Sequence, residues 1–299
     1  MSAQPVLISI PPTIQLERIL YATDFSRASE RALPIVSAIA HKYGSQVCLA
    51  HIYTPDTIYP LDVPALPIVD SEEVAKKAMA ELLRSPELEN LSTTLDIEAG
   101  SPVERITAYV RKHSIDLVII GTHGRRGVTH AFMGSVAEEL FRSLKCPVLT
   151  IGPNLDARFT VARTIKSMLF PTDLSPESKA VFPYLASLSA EFASEIVILH
   201  VLPAESESNP DARKLAEPLR QEMQRIFAPQ LSPKCKPQYV VEFGDVAPRI
   251  LSASDYYNSD LIGLGVREGN ELITHFRTTA AYRVAIGASC PVLTMRGTL

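Results

Sequence analysis

The chain has 299 residues, 29 Lys and Arg against 33 Asp and Glu for a formal charge of −4, and 46% apolar against 21% charged residues. That balance belongs to a folded chain rather than a disordered one. No basic run is longer than a pair such as Arg125-Arg126, too small a footprint for DNA or RNA. At roughly 150 residues per domain, the length predicts two units.

Short β-branched and apolar runs predict strands near 18–23, 46–53, 93–99, 116–121 and 147–151 of the first unit. Between them lie longer amphipathic stretches. Helix starts are marked by Ser26, by Asp70-Ser71 and by Ser135, and in the second unit by Ser175-Pro176 and Asn209-Pro210, where Pro suits a first helical turn. Five strands and four helices per unit, in alternation, predict an α/β fold with a parallel sheet covered on both faces.

The second unit is visible as a repeat. Asp116-Leu-Val-Ile-Ile-Gly121 matches Asp260-Leu-Ile-Gly-Leu-Gly265, and Cys146-Pro-Val-Leu-Thr150 matches Cys290-Pro-Val-Leu-Thr294, both at an offset of 144 that Gly100 and Gly244 share. The openings, Ile19-Leu-Tyr-Ala-Thr-Asp-Phe-Ser26 and Met168-Leu-Phe-Pro-Thr-Asp-Leu-Ser175, stand 149 apart. The difference is expected in the connection after the second strand, where residues 54–70 carry Pro55, Pro60, Pro64 and Pro67. We therefore expect a first domain at 1–152, a linker at 153–166 and a second domain at 167–299.

No apolar run reaches the ~20 residues of a membrane span. Arg18 comes too late for a secretory leader, so the expected compartment is the cytoplasm. Cys48, Cys146, Cys235 and Cys290 form no C-x-x-C pair and read as reduced, mostly buried thiols. No His/Cys cluster has metal-ligand spacing, so no dedicated metal site is expected.

In an open parallel sheet, ligands sit beyond the carboxyl ends of the strands. The loop after the fourth strand reads Gly121-Thr-His-Gly124-Arg-Arg-Gly127-Val-Thr-His-Ala-Phe-Met-Gly134-Ser135 and delivers Gly134-Ser135 to a helix start. Glycines allow close backbone approach, and unpaired N–H groups at a helix start attract an anion such as phosphate. Several residues here have a second reading. Ser135-Val-Ala-Glu138 also fits an S-x-x-E capping box. Asp24 could merely close a turn, since Asp173 occupies the equivalent place. Arg125 and Arg126 could be solvated, and His123 and His130 are expected to be filler.

These residues carry a family resemblance. Gly121-x-x-Gly124-x9-Gly134-Ser135 resembles the nucleotide motif of ATP-binding universal stress proteins, and Thr23-Asp24-Phe25-Ser26, His51-Ile52 and Cys146-Pro-Val-Leu agree with the same family along nearly the whole chain. The resemblance implies a Rossmann-like fold of the adenine nucleotide alpha hydrolase type. It further implies two repeated open five-stranded sheets packed as an intramolecular pseudo-dimer, with association into a homodimer left open. It places the Ala22 backbone and Asp24 at the nucleoside and the Ile52 backbone at adenine. Gly121, Thr122, His123, Gly124, Arg125, Arg126 and Gly127 would wrap ribose and phosphates. Gly134, Ser135, Val136 and Ala137 would hold the phosphate tail through backbone N–H groups and the serine hydroxyl. Mg²⁺ would accompany the ATP.

The second unit departs from this pattern. At the 144 offset Gly265 matches Gly121, but Glu268, Thr278 and Thr279 replace Gly124, Gly134 and Ser135. A carboxylate and a side chain there oppose a triphosphate, so the second site is expected to be weak or empty. Gly263-Leu-Gly265 lacks the third glycine of a dinucleotide fingerprint. Three functions remain open: an ATP-binding stress-response regulator, a slow ATPase or phosphoryl-transfer enzyme, and a nucleotide-independent interaction protein whose Pro-rich loop is a lid or partner surface. No P-loop lysine and no paired carboxylates appear, so binding without efficient turnover is expected, with no residue assigned as catalytic.

Overall fold

The computed structural model describes residues 14–53, 72–122, 133–160, 164–204, 210–266 and 277–297. In the first unit the strands are β1 (Arg18–Ala22), β2 (Gln46–Tyr53), β3 (Ser92–Ala99), β4 (Leu117–Gly121) and β5 (Val148–Ile151). The helices are α1 (Arg27–Glu30), α2 (Leu33–Tyr43), α3 (Glu72–Leu82), α4 (Pro102–His113) and α5 (Ser135–Ser143). The second unit repeats them as β6 (Ser167–Pro171), α6 (Pro176–Ala180), α7 (Phe182–Phe192), β7 (Glu195–Leu202), α8 (Pro210–Phe227), β8 (Gln238–Phe243), α9 (Val246–Tyr256), β9 (Leu261–Val266), α10 (Ala280–Gly287) and β10 (Val292–Arg296).

One helix per unit is split, contrary to the sequence expectation. Pro34 and Pro183 sit near the starts of α2 and α7. A proline ring clashes with the carbonyl four residues earlier and offers no N–H, so the helix ends and restarts there. Ser26 and Ser175 do cap their helices, their hydroxyls accepting the N–H groups of Ser29 and Ser178 at 3.2 Å.

Gly100 and Gly244 follow the third strand of each unit at φ 139° and 146°, a region that disfavours side chains. Their N–H groups donate to Tyr53 and Leu202 at the ends of β2 and β7. The 149 offset holds through β2 and β7 and the 144 offset from these glycines onward, so the length difference lies between. The Pro-rich loop and Asp70-Ser71 lie outside the described residues.

The two sheets are one. Ten strands run in the order β3-β2-β1-β4-β5-β10-β9-β6-β7-β8, every neighbouring pair parallel except β5 with β10. Inner strands such as β4 and β5 are apolar runs buried along nearly their whole length, as covering on both faces requires. A single hydrophobic core extends through both units.

Leu149 faces Leu293 at the centre of the antiparallel pair. Around this point the interface repeats itself: the Thr150 hydroxyl donates to Val292 O at 3.2 Å and the Thr294 hydroxyl to Val148 O at 3.1 Å. The repeated Cys-Pro-Val-Leu-Thr segment is thus the seam between the units. The segment expected as a linker is packed against both: Leu155 and Phe159 are buried, Arg31 donates to Pro153 O, and Asp156 N–H to Ser289 O.

All four cysteines are free, with Cys48 and Cys290 buried and Cys146 and Cys235 half-buried. Burial pushes the Cys146 and Cys290 thiols up to about 12. At pH 8 almost no thiolate forms at either, so alkylation mapped by mass spectrometry should begin at Cys235 and reach Cys146 and Cys290 only on unfolding. Among the described residues no helix is long and apolar enough to cross a membrane.

Leu149→Ala and Leu293→Ala should each lower stability by about 2–5 kcal/mol in urea titrations. Because the two side chains face each other across the seam, the double variant should lose less than the sum.

Candidate functional site

The chain leaves β1 towards β2 and β3 on one side, while β4 and β5 lie on the other, so a crevice opens beyond the carboxyl ends of β1 and β4. β1 stops at Ala22, opposite Ala50 and Ile120. β2 runs on through His51, Ile52 and Tyr53 with only β3 beside it. Ala22 and the half-buried Ile52 therefore border the crevice.

The turn after β1 is heavily hydrogen-bonded. Asp24 Oδ1 accepts Ser26 N–H at 3.0 Å, Thr23 Oγ1 accepts Phe25 N–H at 2.9 Å, and Phe25 takes a left-handed φ of 58°. His51 Nδ1 lies 2.7 Å from Thr23 O, with its ring 4.4 Å from that of Phe25. In the second unit Asp173 Oδ1 accepts Ser175 N–H at 3.0 Å, Leu174 has φ 63°, and His200 Nδ1 lies 2.8 Å from Thr172 O. The turn-forming role of Asp24 is thus met in both units whatever else it does.

Gly121 ends β4 opposite Ile151. Thr122 is fully buried, its N–H and hydroxyl both donating to Ile151 O at 2.9 and 3.1 Å, so its side chain faces the sheet. Its carbonyl accepts Gly134 N–H at 2.7 Å and closes the neck of the loop. His123, Gly124, Arg125, Arg126, Gly127 and His130 lie outside the described residues.

Two expectations about the head of α5 are corrected. Gly134 is the N-cap and Ser135 the first helical residue, so the S-x-x-E capping box does not form. Glu138 points instead to the second unit: it is buried, and Arg277 holds its carboxylate at 3.0 Å. Gly134 does not offer its N–H to a ligand, because Thr122 has taken it; its backbone is ordinary at φ −60°, and an added Cβ would lie 3.3 Å from Thr122 O. The glycine serves close approach.

The first N–H bonded along the helix is that of Glu138, to Gly134 O. Those of Ser135, Val136 and Ala137 have no partner among the described residues, and Ser135 is exposed. Three neighbouring N–H groups at the positive end of a helix dipole favour negative charge nearby.

The second unit differs at the same place. Thr279 is the N-cap of α10 and its hydroxyl accepts Tyr282 N–H at 3.3 Å, so this helix start is partly satisfied from within. A Cβ on Gly265 would lie 2.2 Å from Glu177 O, so that glycine lets α6 pack on β9. The cavity there measures about 150 Å³ and is lined by Thr172, Asp173, Gly265 and Ala280. That is below the roughly 300 Å³ of small ligand pockets. Glu268 lies outside the described residues.

Sequence reading overlooked Tyr282. Its hydroxyl accepts Met133 N–H at 3.1 Å across the seam. Nothing in local sequence marks a partner 149 positions away. Among the described residues no three His, Cys, Asp or Glu side chains gather as a metal set.

Fold and crevice together define a tandem α/β protein of the doubly wound, Rossmann-like kind. The family model of the universal stress protein family matches residues 15–152 and again 164–296, and the chain belongs to that family. Universal stress protein MJ0577 of Methanocaldococcus jannaschii is 26% identical over 157 residues, 46% of this chain and 96% of its own length. A universal stress protein structure from Archaeoglobus fulgidus covers 95% of this chain and 97% of its own at 20% identity and a TM-score of 0.72, a likeness of the whole two-unit fold. A universal stress protein solved in complex with cAMP covers 45% of this chain and 99% of its own at 14% identity and a TM-score of 0.37.

Because both turns are built alike, Asp24→Ala and Asp173→Ala should each lower stability by about 1 kcal/mol, read by thermal or urea unfolding. A much larger loss at Asp24 alone would mean that its carboxylate carries more than the turn.

Proposed function

We propose that the first unit binds ATP in the crevice beyond β1 and β4, and that the protein is a nucleotide-responsive regulator of the stress response rather than an efficient catalyst. The observation that carries this reading is the trio of N–H groups on Ser135, Val136 and Ala137, which have no partner among the described residues and stand at the exit of a loop whose glycine spacing resembles the family's ATP motif. In this reading the Ala22 backbone and Asp24 meet the nucleoside and the Ile52 backbone meets adenine. Gly121 and residues 123–127 wrap ribose and phosphates, while Thr122, buried and bonded to Ile151, stays in the sheet. The head of α5, with the exposed Ser135 hydroxyl, receives the phosphate tail. Gly134 contributes room rather than a donor. Mg²⁺ would arrive on the phosphates.

Turnover is disfavoured on chemical grounds. Phosphoryl transfer relies on a positioned base and on cations that stabilise the transferring group, and the motif supplies neither a P-loop lysine nor paired carboxylates. The second unit, with its self-capped helix and small cavity, is assigned a structural part.

Denaturing the purified protein and quantifying what it releases should yield about one adenine nucleotide per chain. Two would sink the one-site reading. None, with no binding when ATP is supplied, would move the function to an interaction protein. Gly134→Asp places a carboxylate beside the three N–H groups and should weaken ATP by at least tenfold in calorimetric titration. Any hydrolysis that persists unchanged in this variant does not arise at this site.

A further inference from the structure

We propose that Tyr282, on the last helix of the second unit, is a positioning residue for the phosphate end of the first unit's nucleotide site; this rests on the ATP reading above. Tyr282 is 2% exposed, and its hydroxyl accepts Met133 N–H at 3.1 Å. The next N–H along the chain, that of Gly134, is held by Thr122 O at 2.7 Å. Two consecutive backbone groups thus fix the exit of the loop, one from within the unit and one from the other unit. The three N–H groups that would receive phosphate follow at once on Ser135, Val136 and Ala137. Their direction depends on how this exit is held.

The hold on Tyr282 is itself firm, because Thr279 caps its backbone N–H at 3.3 Å. The hydroxyl that quiets the second unit's own helix start therefore also braces the residue that reaches into the first.

The two units use this contact differently. At the 144 offset Tyr282 corresponds to Glu138, and Met133 to Arg277. Glu138 and Arg277 form the mirror-image contact across the seam, but as an ion pair between side chains. A glutamate at position 282 would bring a negative charge towards the head of α5 and oppose phosphate. A phenol accepts the Met133 N–H without that charge. The asymmetry is the one that a single phosphate site in the first unit requires. By linkage, a nucleotide that tightens the head of α5 also tightens its contact with α10, so the second unit registers occupancy of the first.

The test measures ATP and adenosine affinities side by side by calorimetry on the full chain. Tyr282→Phe keeps the ring and removes the acceptor; it should weaken ATP by about tenfold and leave adenosine unchanged. Tyr43→Phe removes another hydroxyl that crosses between the units, the 2.9 Å contact with Ser187, and should leave both affinities at the wild-type value. Amide exchange on the wild-type protein gives a second readout that needs no variant: ATP, but not adenosine, should slow exchange in the peptides that contain Met133 and Tyr282. A Tyr282→Phe protein that retains its preference for ATP over adenosine, or exchange at Tyr282 that ATP leaves untouched, overturns the proposal while the ATP reading stands. A wild-type protein that binds no ATP overturns both.

Discussion

The whole molecule hangs on the antiparallel pairing of β5 with β10. A five-stranded parallel unit of this order leaves its fifth strand as an open edge, a row of unpaired backbone groups flanked by apolar side chains. Val148–Ile151 and Val292–Arg296 cover one another, and the exposed ends of the sheet pass to β3 and β8. Those two edge strands carry a mixture of half-buried and exposed residues that suits an edge. Because the pairing turns about the Leu149–Leu293 position, each contact has a counterpart, as in the two threonine hydroxyls that reach the opposite strand.

The same pairing brings the chemistry together. It sets the head of α5 beside α10, which is why Arg277 meets Glu138 and Tyr282 meets Met133. A single unit with the same local sequence would lack both contacts. The crevice at the ends of β1 and β4 belongs to one unit, but Met133, just before the head of α5, is held by the other.

Duplication and divergence can be separated on this scaffold. The turn after the first strand, the left-handed residue in it, the histidine behind it and the glycine after the third strand are the same in both halves. They serve folding and carry no distinction between the units. The distinction lies at the last helix start. One unit places Ser135 inside the helix and leaves three N–H groups without partners among the described residues, and the other lets Thr279 cap its own helix.

Periodicity, the Gly and Pro positions and the internal repeat determined the element types, the strands to within about two residues, and the duplication. Each of these rests on interactions short in sequence or on the burial pattern of a single strand. The break between α1 and α2 was equally legible in Pro34 and was overlooked. What only the tertiary structure decided is how groups far apart in sequence use their hydrogen bonds. Glu138 suited a capping box until Arg277 offered it a buried partner, Gly134 suited a phosphate donor until Thr122 took its N–H, and Tyr282 had no role until the seam set it against Met133. A polar group's local options are written in its neighbours along the chain, but the partner it keeps is the one that packing brings within about 3 Å.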